Sequence, residues 1–177
     1  MFRSARAADA PAIVALVESA YRGDASRAGW TTEAELLDGQ RTDLSEVQAL
    51  LADARVALCL ATLRSEVIGS VCVRVDPSGT AHIGMFAIRP TLQRAGLGRA
   101  LLEEAEHEAA ARGAEVAEMT VIEQRPELLA WYARRGYHDT GEHEPFPYGN
   151  PRFGLPKRGD LRFVVLRKRL SSARARG

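Results

Sequence analysis

Residues 89–102 read Arg89-Pro90-Thr91-Leu92-Gln93-Arg94-Ala95-Gly96-Leu97-Gly98-Arg99-Ala100-Leu101-Leu102. Gly96 and Gly98, flanked by Arg94 and Arg99, are residue types suited to holding an anion. The first N–H groups of a helix have no partner inside it. They share the positive end of the helix dipole. Glycine removes the Cβ that would keep a ligand's oxygens at a distance. A glycine turn that opens a helix is therefore a site for phosphate or pyrophosphate.

The flanking elements must place that turn. His82-Ile83-Gly84-Met85-Phe86-Ala87-Ile88 alternates and is apolar enough for a buried strand. Pro90 has no N–H to give to a ladder, so the strand stops there. Leu97, Leu101 and Ala105 recur at four-residue spacing, one face of a helix. A P-loop needs Gly-Lys-Ser/Thr at the helix start, and this chain has Gly98-Arg99-Ala100. A dinucleotide fingerprint needs a third glycine where Leu101 stands. Both departures count against a nucleotide-binding domain of another kind.

A second stretch carries a candidate proton donor. Leu129-Ala130-Trp131-Tyr132-Ala133-Arg134-Arg135-Gly136-Tyr137 places an aromatic pair three residues before Gly-aromatic. In this order the two stretches resemble the GNAT-type N-acetyltransferases. That family's Gln/Arg-x-x-Gly-x-Gly/Ala reads here as Gln93 to Gly98, behind a strand ending Ile88-Arg89-Pro90. The likeness is strongest over 56–137 and elsewhere extends to the order of elements. It implies an α/β (α+β) mixed sheet of about seven strands. They are mostly antiparallel around a central splayed parallel pair, with about four or five flanking helices. It implies acetyl-coenzyme A as co-substrate. The backbone of Phe86, Ala87 and Ile88 would pair with its pantetheine arm. The loop of Gln93, Arg94, Ala95, Gly96, Leu97, Gly98 and Arg99 would hold its pyrophosphate. Many members carry Asn seven residues before the tyrosine; here that position is Arg125, which either meets the arm differently or leaves that contact unmade.

The implied reaction is direct attack of an unprotonated primary amine on the thioester in a ternary complex. The oxyanion needs a donor, which an N–H around Phe86 to Ile88 supplies, and the leaving thiolate needs a proton. Tyr132 is the candidate for that proton, since a phenol of pKa about 10 stays protonated at neutral pH. Glu118 and His82 are candidate bases; a base acting through water, or none, are the alternatives. The other histidines receive no role. The acceptor is expected to be a small amine metabolite or, second, a peptide amine, and the family's habits favour a homodimer. The alternative function is a non-catalytic module that binds or senses acyl-coenzyme A.

Composition agrees with one domain over 1–177. The chain is 46% hydrophobic and 27% charged, with net charge +1, which argues against nucleic-acid binding by bulk electrostatics. The N-terminus lacks the apolar run of a signal peptide, and no stretch has the roughly 20 apolar residues of a membrane span. Cys59 and Cys72 fall in strand-like runs and read as buried thiols of a cytoplasmic protein. No Cys/His spacing suits a metal.

In chain order, Phe2 to Arg6 alternates as an edge strand. Asp9 and Pro11 open a helix to Tyr21. Thr32 and Glu35 form a capping box for a second helix ending at Gly39, and a third runs from Asp43 to Ala54. Trp30, Glu33, Glu35, Asp38 and Arg41 lie where such enzymes build the acceptor wall. Strands over 56–63, 67–75 and 80–89 form a meander, with Gly69 and Gly84 marking a bulge or a close backbone approach. A helix follows to Arg112, then a strand over 115–122 that a right-handed crossover makes parallel. Pro126 opens the helix of the second motif. A short strand over 137–141, a loop over 142–160, a strand over 161–170 and a frayed tail over 171–177 complete the chain.

Overall fold

The computed structural model describes residues 1–171; the tail read as frayed lies, beyond Ser171, outside the described residues. The elements run β1 (Phe2–Ser4), α1 (Ala10–Tyr21), α2 (Gly23–Ser26), β2 (Leu37–Asp38), α3 (Leu44–Ala52), β3 (Val56–Leu63) and β4 (Glu66–Val75). They continue with β5 (Thr80–Ile88), α4 (Leu97–Ala111), β6 (Val116–Ile122), α5 (Pro126–Ala133), β7 (His138–Pro145), β8 (Leu155–Pro156) and β9 (Arg162–Arg169). Seven strands form one sheet in the order β1-β3-β4-β5-β6-β9-β7, and β2 pairs with β8 in a separate ribbon. Among the described residues only β5 and β6 are parallel, as the crossover through α4 requires.

Helices cover both faces. On one, Ile13 and Val17 of α1 and Val47 of α3 pack on Leu58, Leu60, Cys72, Met85 and Ala87. On the other, Leu101, Leu102 and Ala105 of α4 and Tyr132 of α5 pack on Cys59, Val71, Val73, Ile83 and Ile88. The alternation of each strand supplies both faces with apolar residues. Cys59 and Cys72 are both free thiols, and burial pushes each up to about 11.

Two features of β5 make the opening. It pairs with β6 only over Thr80–Val116, Ala81–Ala117 and His82–Glu118, after which the two strands diverge. Its ladder with β4 then slips, Cys72 opposite Gly84 but Ser70 opposite Ala87, which is a β-bulge. The bulge follows directly on Gly84, and its left-handed residue is Met85, at φ 46°. The buried Ser70 hydroxyl holds the bulge by donating to the Met85 carbonyl at 3.2 Å. The extra residue moves Met85 to the α1 face, away from Ile83, and turns Phe86 and Ile88 toward α4 and α5. Gly69 answers to both readings: the β3–β4 ladder slips beside it, Ala61 opposite Gly69 but Thr62 opposite Val67, and a Cβ there would lie 2.9–3.1 Å from Ile88, Leu101 and Ala61.

Three local expectations are corrected. Residues 31–39 form no helix. One turn closes on the Glu33 carbonyl, and the chain then enters β2. The capping-box acid Glu35 pairs with Arg27, Glu33 is drawn into ion pairs with Arg22 and Arg125, and Leu36 and Leu37 are both buried beside Ile122, Phe146 and Leu161. Tertiary partners override the local helix signal. The strand expected over 137–141 runs from His138 to Pro145, with a bulge between Asp139 and His143, so the loop is shorter and carries β8. Asp9 does not cap α1; its carboxylate accepts from the Arg3 guanidinium and the Arg6 N–H, each at 2.7 Å.

Candidate active site

The divergence of β5 and β6 opens a cleft of about 440 Å³. Its walls are the end of β5, the turn and first residues of α4, α5, and the segment from Tyr21 to Thr31. Five arginines (Arg94, Arg99, Arg125, Arg134 and Arg135) line it, and among the described residues no carboxylate or imidazole does.

At one end stands the glycine turn. Arg94 (φ 75°) and Gly96 (φ 79°) both take left-handed backbone, which curls the turn into a concave row of amides. The Gln93 N–H bonds back to Pro90, and the next internal bond is from Ala100 to Gly96. Between them the N–H groups of Arg94, Ala95, Gly96, Leu97, Gly98 and Arg99 have no acceptor among the described residues, and α4 has no side-chain cap. The guanidinium of Arg135 lies flat on the Trp131 ring, 3.4 Å from its centroid, and donates to the Trp131 carbonyl. Burial lowers its pKa from the ordinary range, and its Nε has no partner. Arg134 and Arg135 thus join Arg94 and Arg99 around the turn; the two arginines after the aromatic pair were visible in the second motif but received no role there.

The middle of the cleft is the edge of β5. Ala87 and Arg89 face β4, since Ala87 pairs with Ser70 and the Arg89 N–H donates to Ile68. By alternation the N–H and C=O groups of Phe86 and Ile88 face the cleft. Their carbonyls are used: Tyr21 Oη donates to Phe86 at 2.8 Å, and Gln93 Nε2 to Ile88 at 3.2 Å. Gln93 also accepts from the Trp30 N–H at 2.9 Å. Its side chain is thus a brace between β5 and the 22–31 segment and is not offered to a ligand. Gly29 permits the brace, because a Cβ there would sit 2.4 Å from Gln93 Oε1. Ala95 and Leu97 do not line the cleft and bring only their amides.

Tyr132 closes the far side. It is 5% exposed, edge-on to Trp131 and Tyr137 and tilted against Phe86. Its hydroxyl has no hydrogen bond among the described residues, and burial raises its pKa well above that of a free phenol. Tyr21, read from sequence only as the end of α1, has its pKa raised by the same cause.

The other candidates lie elsewhere. Glu118 and His82 face each other across the closed end of β5 and β6, at 3.2 Å. Glu118 is bound at 2.6 Å by Arg167 and His82 at 3.0 Å by Asp76. Neither lines the cleft. Arg125 does, but its guanidinium is turned to the 22–42 segment: it donates to Glu33 Oε1 at 2.9 Å and to Thr31 Oγ1 at 2.6 Å. Of the acceptor-wall residues, Trp30 lines the cleft, Glu33 is buried behind it, Arg41 lies over the Tyr21 ring, and Glu35 and Asp38 pair with Arg27 and Lys157.

The sequence profile of the acetyltransferase (GNAT) family matches residues 16–137, the span that holds the cleft. The chain belongs to this family. No curated protein sequence matches it. Among solved structures, the ribosomal-protein-S18-alanine N-acetyltransferase of Escherichia coli aligns with TM-score 0.72 at 18% identity, covering 100% of this chain and 97% of that one. The IAA acetyltransferase of Bacillus cereus gives 0.67 at 18%, over 96% and 99%. A GNAT-family acetyltransferase of Streptococcus pneumoniae gives 0.67 at 18%, over 97% and 99%. At these identities the likeness is one of fold. Family membership makes the chain an acyltransferase of the acetyl-coenzyme A-dependent class. No helix among the described residues is long and apolar enough to cross a membrane.

Proposed function

We propose that this acetyltransferase moves an acetyl group from acetyl-coenzyme A to a primary amine by direct attack in a ternary complex. The observation that carries the reading is the alignment of three unspent features along one cleft. These are the amides from Arg94 to Arg99, the cleft-facing N–H groups of Phe86 and Ile88, and the unpartnered Tyr132 hydroxyl. The amide row and Arg94, Arg99, Arg134 and Arg135 suit a pyrophosphate. The β5 edge suits an extended amide-bearing arm.

The amine nitrogen forms a bond to the thioester carbonyl carbon while the carbon–sulfur bond breaks. A β5 N–H faces the carbonyl oxygen as charge collects there. Tyr132 gives its proton to the departing sulfur, and its raised pKa keeps that proton available. The new amide nitrogen sheds its extra proton to water, and the phenolate regains one. With no carboxylate or imidazole in the cleft wall among the described residues, the amine enters unprotonated or loses its proton to solvent. The cytoplasmic location and homodimer expected from the sequence stand as part of this proposal.

The test is coenzyme A release across a panel of primary amines, with Tyr132→Phe beside the unmutated protein. Turnover should fall about 100-fold in the variant, the range for loss of a positioned acid, with acetyl-coenzyme A affinity unchanged. Unchanged turnover would remove Tyr132 from the chemistry. Binding of acetyl-coenzyme A with no turnover on any amine would make the protein a binding module.

A further inference from the structure

At its Tyr21 end the cleft is backed by three arginines, Arg22, Arg41 and Arg125, of which Arg125 lines it. The Tyr21 ring is part of the wall. The Arg41 and Arg125 guanidinium carbons lie over it, 5.3 and 6.0 Å from its centroid, and Arg22 follows it in the chain. Glu33 is the carboxylate set among them, 2.6 Å from Arg22 and 2.9 Å from Arg125. Arg22 and Arg125 are 7% and 6% exposed, yet Nε and Nη2 of Arg22 and Nε of Arg125 have no hydrogen-bond partner. The half-buried Arg41 side chain has no ion pair or hydrogen bond among the described residues.

Two other acids are near, and among the described residues neither makes a hydrogen bond to an arginine side chain. Glu127 is at the rim, 3.8 Å from Arg125 Nε, and accepts from the Thr31 hydroxyl. Glu18 spends Oε1 on the backbone N–H groups of Arg41 and Thr42. Arg22 and Arg125 therefore share the Glu33 carboxylate, and the Arg41 guanidinium, over the Tyr21 ring, has no ion pair among the described residues. Buried charge without a counter-charge is costly, and a guanidinium's planar fork matches a carboxylate or phosphonate better than any other group. The phosphate-binding arginines stand apart, around the glycine turn, so this second cluster serves another part of the reaction. A polyamine acceptor would find no acid in the wall to hold a second ammonium.

We infer that the acceptor amine carries an oxyanion, seated against Arg125 at the Tyr21 end of the cleft with Arg41 behind it. The inference rests on the acetyl-transfer reading above, and the test separates the two. Calorimetry with acetyl-coenzyme A comes first, on the unmutated protein and on Arg41→Gln and Arg41→Lys, with thermal melts as a folding control. Coenzyme A release is then measured with ω-amino carboxylates, the matching carboxamides, aminoalkylphosphonates and plain alkylamines.

The expected result is a kcat/KM for the anionic amines at least about 30-fold above the neutral ones. Arg41→Gln should reduce that preference about tenfold through KM, as for a removed charge at this distance. Arg41→Lys should keep most of it, and acetyl-coenzyme A affinity should be the same in all three. The better of carboxylate and phosphonate identifies the oxyanion. Equal use of neutral amines, or an unchanged preference in Arg41→Gln, would overturn the inference while leaving acetyl transfer standing. Acetyl-coenzyme A binding with neither turnover nor binding of any anionic amine would also overturn it. Absence of acetyl-coenzyme A binding would remove both readings together.

Discussion

Tyr132 is packed on three aromatic rings and has spent its hydroxyl on nothing. Burial favours the neutral phenol, so its folded pKa lies above the free value and the proton is held throughout the ordinary range. The pH profile follows. kcat/KM should rise as the acceptor ammonium loses its proton and should show no falling limb below about pH 10, the free phenol value. A decline between pH 8 and 10 that disappears in Tyr132→Phe would contradict the raised pKa and not the donor role. Glu33 is the other decisive residue. It is buried between Arg22 and Arg125, and Glu33→Ala leaves both buried guanidiniums without their shared carboxylate. Loss of one partner of a buried pair costs about 3–5 kcal/mol. Urea unfolding should show a loss of that size; a loss below about 1 kcal/mol would mean that the two arginines find other partners. The sequence pointed to Tyr132 through a motif. It offered no way to see that Glu33 and Arg125, 92 positions apart, would meet.

The bulge at Met85 decides what β5 presents. It interrupts pairing with β4 by one residue and so sends Phe86 to the cleft face and Met85 to the α1 face. Gly69, opposite Ile88, lets α4 lie close against this part of the sheet. Gly69→Ala would press a methyl group against Ile88, Leu101 and Ala61 at 2.9–3.1 Å. Such overpacking costs about 1–3 kcal/mol. Because α4 carries the glycine turn, acetyl-coenzyme A affinity should weaken in parallel with the midpoint of unfolding. A destabilised variant with unchanged affinity would show that α4 moves without its turn. Most elements were legible because their patterns are local: period-two runs for β3 to β5, the four-residue stripe of α4, Pro126 at the start of α5. The exception is 31–39, where Thr32 and Glu35 have helix-cap spacing but Glu33, Glu35, Leu36 and Leu37 all answer to residues far away. The base candidates Glu118 and His82 were misplaced for a related reason. Sequence shows that they are on neighbouring strands, but not that they sit at the joined end and not the open one.

At the scale of the whole molecule, one sheet separates two apolar clusters and opens only where β5 leaves β6. Its first strand is tied down by charge. Arg3 of β1 holds the Asp9 carboxyl down to about 2, below the usual 3.8, with help from the Arg6 N–H. A depressed carboxyl pKa stabilises the fold above the unfolded value and loses that contribution as pH falls through the folded one. The stability difference between the unmutated protein and Asp9→Asn should therefore be constant above about pH 5 and shrink toward pH 2. A difference that does not vary over that window in urea titrations would mean that the pair adds nothing. The measurement closest to the central claim is calorimetry of acetyl-coenzyme A with the unmutated protein and Gly98→Glu. Gly98 is at the cleft mouth, and a Cβ there meets Trp131, Ile88 and Phe86 only at ordinary distances of 3.5–3.9 Å, so the variant adds a carboxylate without backbone strain. The account predicts a saturable one-to-one isotherm weakened at least about tenfold by the substitution, or roughly 1.4 kcal/mol, with the melting temperature unchanged. Equal affinity in the two proteins, or no binding by the unmutated one, would contradict the assignment of the glycine turn as the pyrophosphate site.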